Sequence, residues 1–356
     1  MADFSTTTVG SQTNQQLFIR KCKLVVSNTA GNGIDLSNLR VKFRVQAMTV
    51  NTLKNAEITV YNLSPDTAKA IFSTTPSNSP NNQFPTAEFN QVSLWAGYQT
   101  GPFAQIFQGN IVYMRLGRED ALTNYLTLVA SDGDQGYNWG ILNKSLPTPS
   151  EATPADQFAA IVTALQPYNI GAGYTPFASG YQGPAIVTKP LSRGKVLYDS
   201  LPNILNQFAS SLGCIWNIQD GLLNIYPSNS PPPVQGDVIT LTPQTGLVGV
   251  PEQTLDGLTV RCLLHPSIKT GSYVQVPTQY ITQGVVTGPQ PNPADLSLSK
   301  LPNISTNQLY QVYALAQVGD TRGKGADWCA ELICIPTDKN RRLPISNTYL
   351  NAVPQS

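Results

Sequence analysis

Few residues of this 356-residue chain have the type and spacing that catalysis requires. His265 is the single histidine, so a multi-histidine zinc site is excluded, and any Ser-His-Asp or Cys-His system depends on that one residue. It directly precedes Pro266 at the end of a predicted strand, where a surface or packing role is favoured over catalysis. A histidine-based active site is therefore disfavoured.

Glycoside hydrolysis needs two carboxylates about 5 to 10 Å apart across a cleft. The candidates in the middle of the chain are Asp156, Asp199 and Asp220. Asp156 follows a Thr-Pro helix start and Asp220 precedes a glycine in a turn, so local structure explains both. Because no unexplained pair of acids remains, we expect no catalytic residues and no enzymatic activity.

Two segments resemble ligand-binding loops but lack a required residue. Residues 319–325 (GDTRGKG) contain glycines and a lysine, but their spacing is not that of a phosphate-binding loop and no helix pattern follows. We interpret them as a hairpin turn. Residues 132–134 (DGD) offer oxygen ligands for Ca²⁺, yet no Glu occurs between Glu119 and Glu151 to complete such a site. An Asx-turn is favoured there, and we expect no metal and no cofactor.

The composition is low in charge and rich in residues that form turns. Charged residues make up 12% of the chain, about half of the usual share in soluble proteins, and the formal net charge is +1. Long-range attraction to nucleic acid or to an anionic membrane is therefore not expected. The 28 prolines and 27 glycines favour β-strands joined by many turns.

The cysteines and the N-terminus indicate where the chain is made. The five cysteines are odd in number and contain no C-x-x-C pair, so we interpret them as free, buried thiols from a reducing cytoplasm: Cys22, Cys214, Cys262, Cys329 and Cys334. The first 16 residues lack the basic and apolar regions of a signal peptide, and no apolar run approaches the roughly 18 residues that span a bilayer. We expect a protein that is neither secreted by the usual signal nor membrane-embedded.

The first third of the chain predicts β-strands. Apolar and polar residues alternate over residues 39–47, which predicts a strand with one wet face. Further strands are predicted at residues 56–61, 92–98, 106–116 and 125–130, at the spacing typical of a small barrel or sandwich. A Ser-Pro-Asp start predicts one short helix over residues 64–71.

The pattern changes between about residues 134 and 226. Thr153 and Pro154 predict the start of a helix with one apolar face. A second apolar stripe at helical spacing, from Leu197 to Leu212, predicts another helix that Pro202 begins or kinks. A hairpin is predicted around residues 220–221, and a proline-rich run then reads as a stiff linker.

Further strands are predicted after this linker, and their sequences resemble those of the first set. Residues 58–65 (ITVYNLSP) resemble residues 258–266 (LTVRCLLHP), and Val112-Tyr113 resembles Val312-Tyr313. The offset is 200 residues in both pairs, from 60 to 260 and from 112 to 312. Each half continues into a polar turn and a further strand. The sequence therefore predicts two similar β-domains that flank a mixed α/β insertion.

These segments, in this order, resemble the central baseplate hub protein of contractile-tailed bacteriophages, a tail-tube-like family related to the hub part of type VI secretion spike proteins. The resemblance covers residues 17 to about 335. It also includes the segments WAGY at 95–98, FQG at 107–109 and YQVY at 310–313. The residues that match the family's structural motifs are Asn62, Leu63, Ser64, Gly246, Leu247, Val248, Gly249, Pro251, Leu263, Leu264, Pro266, Gly319, Asp320 and Trp328.

The resemblance implies a mainly β fold with two tail-tube-type β-barrel domains flanking a mixed α/β insertion. It implies a homotrimer that adapts the six-fold tail tube to a three-fold central spike, with a channel for DNA ejection. The implied partners are a separate trimeric spike protein, the terminal tail-tube ring, the tape-measure protein, baseplate wedge proteins and, transiently, phage DNA. The implied location is the virion tail baseplate, reached from the host cytoplasm during assembly.

We expect six segments: an N-terminal arm at 1–16, a first tube-like β-barrel at 17–133, an α/β insertion at 134–227, a proline-rich linker at 228–237, a second tube-like β-barrel at 238–335 and an extended C-terminal tail at 336–356. The alternative function is a secreted or virion β-protein that binds carbohydrate or degrades polysaccharide. The missing signal peptide and the lack of an unexplained acid pair weigh against it.

Overall fold

The computed structural model describes residues 17, 19–28, 33–71, 74–75, 86–87, 89–147, 153–177, 193–228, 237–254, 256–282, 304–323 and 327–338. The predicted N-terminal arm, most of the proline-rich linker and nearly all of the C-terminal tail lie outside these residues. No helix among the described residues is long and apolar enough to cross a membrane.

The first part of the chain is almost entirely β. Its strands are β1 (Arg20–Asn28), β2 (Gly33–Asp35), β3 (Arg40–Met48), β4 (Thr52–Leu53), β5 (Asn55–Tyr61), β6 (Thr74–Thr75), β7 (Thr86–Ala87), β8 (Phe89–Tyr98), β9 (Phe103–Arg118) and β10 (Asn124–Ser131). One helix, α1 (Pro65–Ile71), follows β5 as predicted, and the hydroxyl of Ser64 accepts the backbone N–H of Thr67 at its start.

The middle part mixes helices and short strands: α2 (Asp134–Trp139), β11 (Ile141–Leu146), α3 (Pro154–Leu165), β12 (Gly171–Ala172), β13 (Lys195–Ser200), α4 (Leu201–Ser211), β14 (Cys214–Gln219) and β15 (Leu222–Pro227). Helix α3 begins at a capping box in which the Thr153 side chain accepts the N–H of Asp156, as the sequence predicts. The predicted hairpin is the antiparallel pair β14–β15.

The predicted helix from Leu197 to Leu212 is wrong in its first turn. Residues Lys195–Ser200 form strand β13, which pairs with β11, and the helix starts only at Leu201. Leu197 is buried while Val196 and Tyr198 on either side are exposed, so the period here is two. The four-residue spacing from Leu197 to Leu201 mimicked a helical stripe, and Pro202 stands in the first turn of the shortened helix.

The last part returns to strands: β16 (Ile239–Thr240), β17 (Glu252–Thr254), β18 (Gly257–Leu263), β19 (Tyr273–Gln275), β20 (Leu309–Asp320) and β21 (Trp328–Pro336). Residues 319–323 close β20 and begin the connection to the antiparallel strand β21, in agreement with a hairpin, while Lys324 and Gly325 of the predicted turn lie outside the described residues. All five cysteines are free thiols, four of them buried.

One large sheet of 13 strands includes strands from both ends of the chain. Its main path runs β17-β18-β21-β20-β3-β5-β10-β9-β8-β1-β2, and β19 joins β20 and β16 beside this path. The fold is therefore mainly β, as predicted, and its strands form one large, mostly antiparallel sheet. In strand β3, Val41, Phe43 and Val45 are buried while the intervening Arg and Lys side chains face outward.

The buried apolar side chains form three main clusters. The first lies under the strands before residue 131 and also contains Leu264 and Trp328 from the last part of the chain. The second fills the space between α3, α4 and the β14–β15 hairpin, with Trp216 fully buried. The third lies under β18, β20 and β21. Each cluster supplies its own hydrophobic driving force.

Candidate functional site

The first and last parts of the chain meet where β3 pairs with β20. The antiparallel pairs run from Met48 with Ala314 to Lys42 with Asp320. We call this contact the seam and define it by Arg40, Phe43, Gly319, Asp320 and Trp328. It makes one continuous sheet from strands whose paired residues are 266 to 278 positions apart in the sequence.

An ion pair closes one end of the seam. The Arg40 guanidinium donates from Nη2 to Asp320 Oδ2 at 2.7 Å and from Nε to Asp320 Oδ1 at 3.2 Å. Burial raises the pKa of the Asp320 carboxyl, but hydrogen bonds from Arg40 and from the backbone N–H of Arg322 outweigh it and hold the pKa below its usual value. The Arg40 guanidinium also lies 4.8 Å from the Tyr61 ring centroid. Asp320 thus fixes β20 against β3.

The aromatic packing of the seam explains why a glycine stands at 319. A Cβ at Gly319 would lie 2.2 Å from Cζ of Phe43. The Phe43 ring meets the Trp328 ring edge-on, with centroids 5.4 Å apart, and both side chains are buried. Two motif residues of the last part of the chain therefore pack around a side chain of the first part.

Residues 263–266 (LLHP), at the end of β18, also contact the first part of the chain. Leu264 is fully buried in the first hydrophobic cluster, and its N–H donates to the Trp328 carbonyl at 3.3 Å. Leu263 is partly buried and Pro266 is buried. His265 lies between them in a largely buried environment that lowers its pKa. A packing or surface role stays the prediction for this histidine.

The segment that contains Gly246, Leu247, Val248, Gly249 and Pro251 wraps around β18. The Gly246 carbonyl accepts the N–H of Leu263 at 2.7 Å, and the Val248 N–H donates to the Arg261 carbonyl at 2.8 Å. Gly246 has φ +107° and Gly249 has φ +71°, which favour glycine. The Pro251 carbonyl accepts the N–H of Thr282 at 2.9 Å.

The segment of the first part that resembles residues 263–266 in sequence contains Asn62, Leu63 and Ser64. Asn62 adopts φ +55°, a conformation that asparagine tolerates better than most residues, and its N–H donates to the Asn124 carbonyl at 2.8 Å. Leu63 is buried and Ser64 caps α1. These motif residues turn the chain out of the sheet and into the helix.

One carboxylate of the middle part bonds to both β parts, in addition to the pairing of β14 with β4. Asp220 Oδ1 accepts Lys54 Nζ at 2.6 Å, and its Oδ2 accepts Lys269 Nζ at 2.6 Å. The Lys54 side chain is only 5% exposed. Burial raises the pKa of Asp220, but the two lysines outweigh it and lower the net value. We call Lys54, Asp132, Asp220 and Lys269 the Asp220 cluster.

Asp132 supports the same cluster, and the Asx-turn interpretation missed its main contact. Its Oδ2 accepts the N–H of Gly221 at 3.0 Å, across the hairpin turn and 89 residues away. Desolvation by burial raises the pKa of this carboxyl to about 6 despite that hydrogen bond and the nearby Lys54. A cavity of about 340 Å³ lies beside the cluster, lined in part by Gln91, Gln105 and Gln108.

The other acids considered for catalysis lie apart from this cluster. Asp156 belongs to the α3 capping box. Asp199 accepts the N–H of Ser200 at 2.6 Å and the Asn203 amide at 3.1 Å. Within the described ranges, no group of three or more His, Cys, Asp or Glu side chains has a metal-binding arrangement. Sequence reasoning missed Lys54 and Lys269 because neither stands in a recognisable motif.

The sequence analysis also missed an exposed apolar surface on the middle part of the chain. Strands β11 and β13 form a separate two-stranded sheet, and its outer face carries Ile141, Val196 and Tyr198, which are 70%, 67% and 73% exposed. Trp139, just before β11, is 74% exposed. The alternating pattern of β13 would have revealed this face if the segment had been read as a strand.

The fold described above is similar to that of a solved bacteriophage tail protein. The structure is similar to the 43 kDa tail protein of prophage MuSo2 from Shewanella oneidensis, with a TM-score of 0.52 and 7% sequence identity, over 90% of this chain and 99% of that chain. The resemblance to phage tail proteins inferred from the sequence is confirmed at the level of the fold.

Two further solved structures are similar at lower scores. A tail protein from Neisseria meningitidis MC58 has a TM-score of 0.47 and 10% identity, over 89% of this chain and 96% of that one. A type VI secretion system component from E. coli has a TM-score of 0.46 and 9% identity, over 86% and 76%. No family profile matches the sequence, and no curated protein matches it significantly.

Proposed function

We propose that this chain is a structural baseplate hub of a phage tail, in which three copies form a pseudo-six-fold adaptor between the tail tube and a separate three-fold spike. The single observation that carries the proposal is the repeated strand order on the two sides of the seam. In this proposal the chain has no catalytic role, and residues 17–133 and 238–335 are the two tube-like domains that flank the insertion at 134–227.

The repeated order supports an internal duplication. In the first part, β5 pairs with β10 and β10 pairs with β9, all antiparallel; in the last part, β18 pairs with β21 and β21 pairs with β20 in the same way. Val60 lies opposite Leu126, and Val260 lies opposite Leu332. Strand β3 flanks β5 as β17 flanks β18, again antiparallel.

The second predicted pair lies on corresponding strands but not at identical positions. The register between β9 and β10 shifts by one residue at Val112, and the register between β20 and β21 shifts between Val312 and Ala314. Val112 is 57% exposed, whereas Val312 is fully buried. Corresponding bulges in corresponding strands favour a common origin of the two parts, followed by divergence of their surfaces.

The outward face of the sheet around the seam carries acidic and basic side chains close together. Such a face could line a channel through which DNA passes without binding. Arg40 is paired with Asp320, and Arg44 lies directly opposite Glu57. Arg261 is 3.9 Å from Glu331 in the last part. We infer that this face lines the channel, because Glu57 and Asp320 offset part of the positive charge of Arg40, Lys42 and Arg44 and so reduce the net contacts to phosphates.

The alternative of polysaccharide hydrolysis has one observation in its favour. Asp132 and Asp220 lie beside the same cavity, and their environments shift their pKa values in opposite directions, as in many acid–base pairs. However, Asp132 is only 5% exposed and both oxygens of Asp220 accept lysine ammonium groups. We infer that these acids fix the domains together.

Labelling and deletion test the proposed function. An antibody against this chain should bind at the tail tip of the particles that contain it, and a nonsense mutation in its gene should yield no complete tails. Complete, infectious particles without the chain would contradict the hub role. Peptidoglycan cleavage by the purified protein that is abolished in Asp132→Asn would favour the hydrolase instead.

A further inference from the structure

The cavity beside the Asp220 cluster has a volume of about 340 Å³ and a mainly polar lining. This volume is at the lower end of the range for small-molecule sites, about 300 to 1,000 Å³. We call it the amide cavity, because six side-chain amides line it: Gln91, Gln105, Gln108, Asn110, Gln135 and Asn169. They come from strands β8 and β9, from helix α2 and from the segment that follows α3.

A bulge in strand β9 brings two of these amides to one face of the sheet. The register between β8 and β9 shifts by one residue at Ile106. Without this extra residue, Gln105 and Gln108 would point to opposite faces, because they are three positions apart on the strand. Instead, Gln105 Nε2 donates to Gln108 Oε1 at 2.8 Å. The bulge therefore places both amides at the same wall of the cavity.

The other four amides of the cavity are not used by the fold. Within the described part of the chain, the side chains of Gln91, Asn110, Gln135 and Asn169 make no hydrogen bond. Each amide offers two N–H donors and one carbonyl acceptor. Neighbouring hydroxyl groups of a sugar match such a set, because each hydroxyl both donates and accepts.

The charges beside the amide cavity cancel. Lys54 and Lys269 both donate to Asp220, and with an ionised Asp132 the four groups have no net charge. An anion would need an ammonium group without a carboxylate partner, and a cation would need a carboxylate with free oxygens. Both ammonium groups are paired, and both oxygens of Asp220 are occupied. The site therefore favours a neutral ligand over an ion.

An aromatic side chain completes the lining. The ring of Tyr168 is half-buried at the wall of the cavity, and its hydroxyl donates to the Trp139 carbonyl at 3.4 Å. The electron-rich face of an aromatic ring attracts the C–H groups of a sugar ring. Amides for the hydroxyl groups and one aromatic ring for the C–H face are thus present at the same site.

We propose that the amide cavity binds a neutral sugar residue, with its hydroxyl groups bonded to the amides and its C–H face against Tyr168. The binding involves no catalysis, because Asp132 and Asp220 remain bonded within the Asp220 cluster. A ligand without hydroxyl groups would leave the amides unpaired and would bind less well. This inference goes beyond the hub role and does not depend on it.

Ligand-observed NMR on the full chain tests the proposal with four neutral sugars: glucose, galactose, rhamnose and N-acetylglucosamine. At least one of them should bind with a Kd of about 1 mM. The affinity should not change between about 0.01 and 1 M NaCl, because salt screens interactions between charges. The sugar that binds is then compared with an oligosaccharide that ends in it. Equal affinity identifies the end of a glycan chain as the ligand, and binding of the monosaccharide alone identifies a free sugar.

Three variants at exposed glutamines locate the binding site. Gln108→Ala and Gln135→Ala each remove one cavity amide and should weaken binding of that sugar by about 5- to 10-fold, with unchanged melting temperatures. The matched control is Gln99→Ala, outside the cavity, which should bind like the wild type.

Three results would overturn the inference. The first is no binding of any of the four sugars at about ten times the expected Kd. The second is equal affinity of all three variants and the wild type. The third is binding of inorganic phosphate that competes with the sugar and disappears at high salt, which would indicate an anion site. Each result leaves the hub role intact, because labelling of the tail tip tests that role separately.

Discussion

At the scale of single residues, Asp220 connects three parts of the chain. It belongs to the β14–β15 turn of the insertion, Lys54 precedes β5 in the first part, and Lys269 follows β18 in the last part. Lys54 is nearly buried, so its charge depends on Asp220 for compensation. The outer pair with Lys269 is half exposed and contributes less.

Replacing Asp220 with asparagine should lower the free energy of unfolding by about 3 kcal/mol, because it leaves the Lys54 ammonium buried without a counter-charge. Urea denaturation measures the change. The matched control is Lys269→Gln, which removes the exposed pair and should cost less than about 1 kcal/mol. Equal effects of the two substitutions would contradict the assigned roles.

Asp132 gives the fold an unusual pH dependence. Burial raises its pKa to about 6, against about 3.9 in an unfolded chain. Between these values the folded protein binds more protons than the unfolded one, so the Asp132 contribution to stability falls as the pH rises from about 4 to 7. The ionised carboxylate costs about 2–3 kcal/mol above that range.

Asp132→Asn should therefore be more stable than the wild type at pH 8 by up to about 2 kcal/mol, with the difference disappearing near pH 4. The asparagine oxygen can still accept the Gly221 N–H. Unfolding free energies at a series of pH values give the difference. Asp120→Asn is the control: hydrogen bonds from Leu122 and Thr123 lower the pKa of Asp120, so its contribution is present above the ordinary aspartate pKa and is lost only as the pH falls below it. A difference between Asp132→Asn and the wild type that does not change with pH would refute this account.

At the scale of elements, the seam depends on the close approach of β20 to Phe43. Gly319→Ala should destabilise the protein by about 1–3 kcal/mol, because the added methyl group overlaps the Phe43 ring. Gly171→Ala is a matched control, since its Cβ would meet Leu222 at an ordinary 3.5 Å. Thermal or urea unfolding measures both variants.

A second substitution distinguishes overpacking at the seam from a general effect on the strand. Phe43→Leu removes the ring that the methyl group added by Gly319→Ala would overlap, so it should recover part of the stability that Gly319→Ala loses. The effects of the two substitutions on the free energy of unfolding should therefore be non-additive. Additive losses in the double variant would show that Gly319 is required for a reason other than the Phe43 ring.

Strands with one buried face were predictable from the sequence, because apolar and polar residues alternate between neighbouring positions of such a strand. Strand β3 and the hairpin β14–β15 lie within a residue or two of their predicted limits, and the start of α3 was set by Thr153. The start of α4 was wrong because Leu197 fits both a helical and a strand period, and only the pairing with β11 decides between them.

The contacts between elements were not predictable in the same way. Asp220 could be read as a turn residue, but its lysine partners are 166 and 49 residues away, and no local pattern links them. Gly319 could be read as part of a hairpin, whereas its need for a small side chain comes from Phe43 on another strand. These partners are set by packing between residues that are far apart in the sequence, and no local pattern in a single sequence identifies them.

At the scale of the whole molecule, the seam and the Asp220 cluster join three hydrophobic clusters into one structural unit. The seam continues the sheet between the two β parts, and the Asp220 cluster, together with the pairing of β14 and β4, attaches the middle part to them. In the proposed hub, this arrangement gives three copies a nearly six-fold ring toward the tube. The insertions occur once per chain and present a three-fold face toward a spike.

An electron cryomicroscopy reconstruction of the tail tip, from the particle that carries this chain, tests the central claim most directly. The account predicts three copies in a closed ring, with the β5-β10-β9 and β18-β21-β20 strands of each copy in alternating, nearly equivalent positions around the axis. The face that carries Arg40 and Glu57 should line the channel. A map with six copies of the chain per tail tip, or with the two β parts in unrelated positions, would contradict the account.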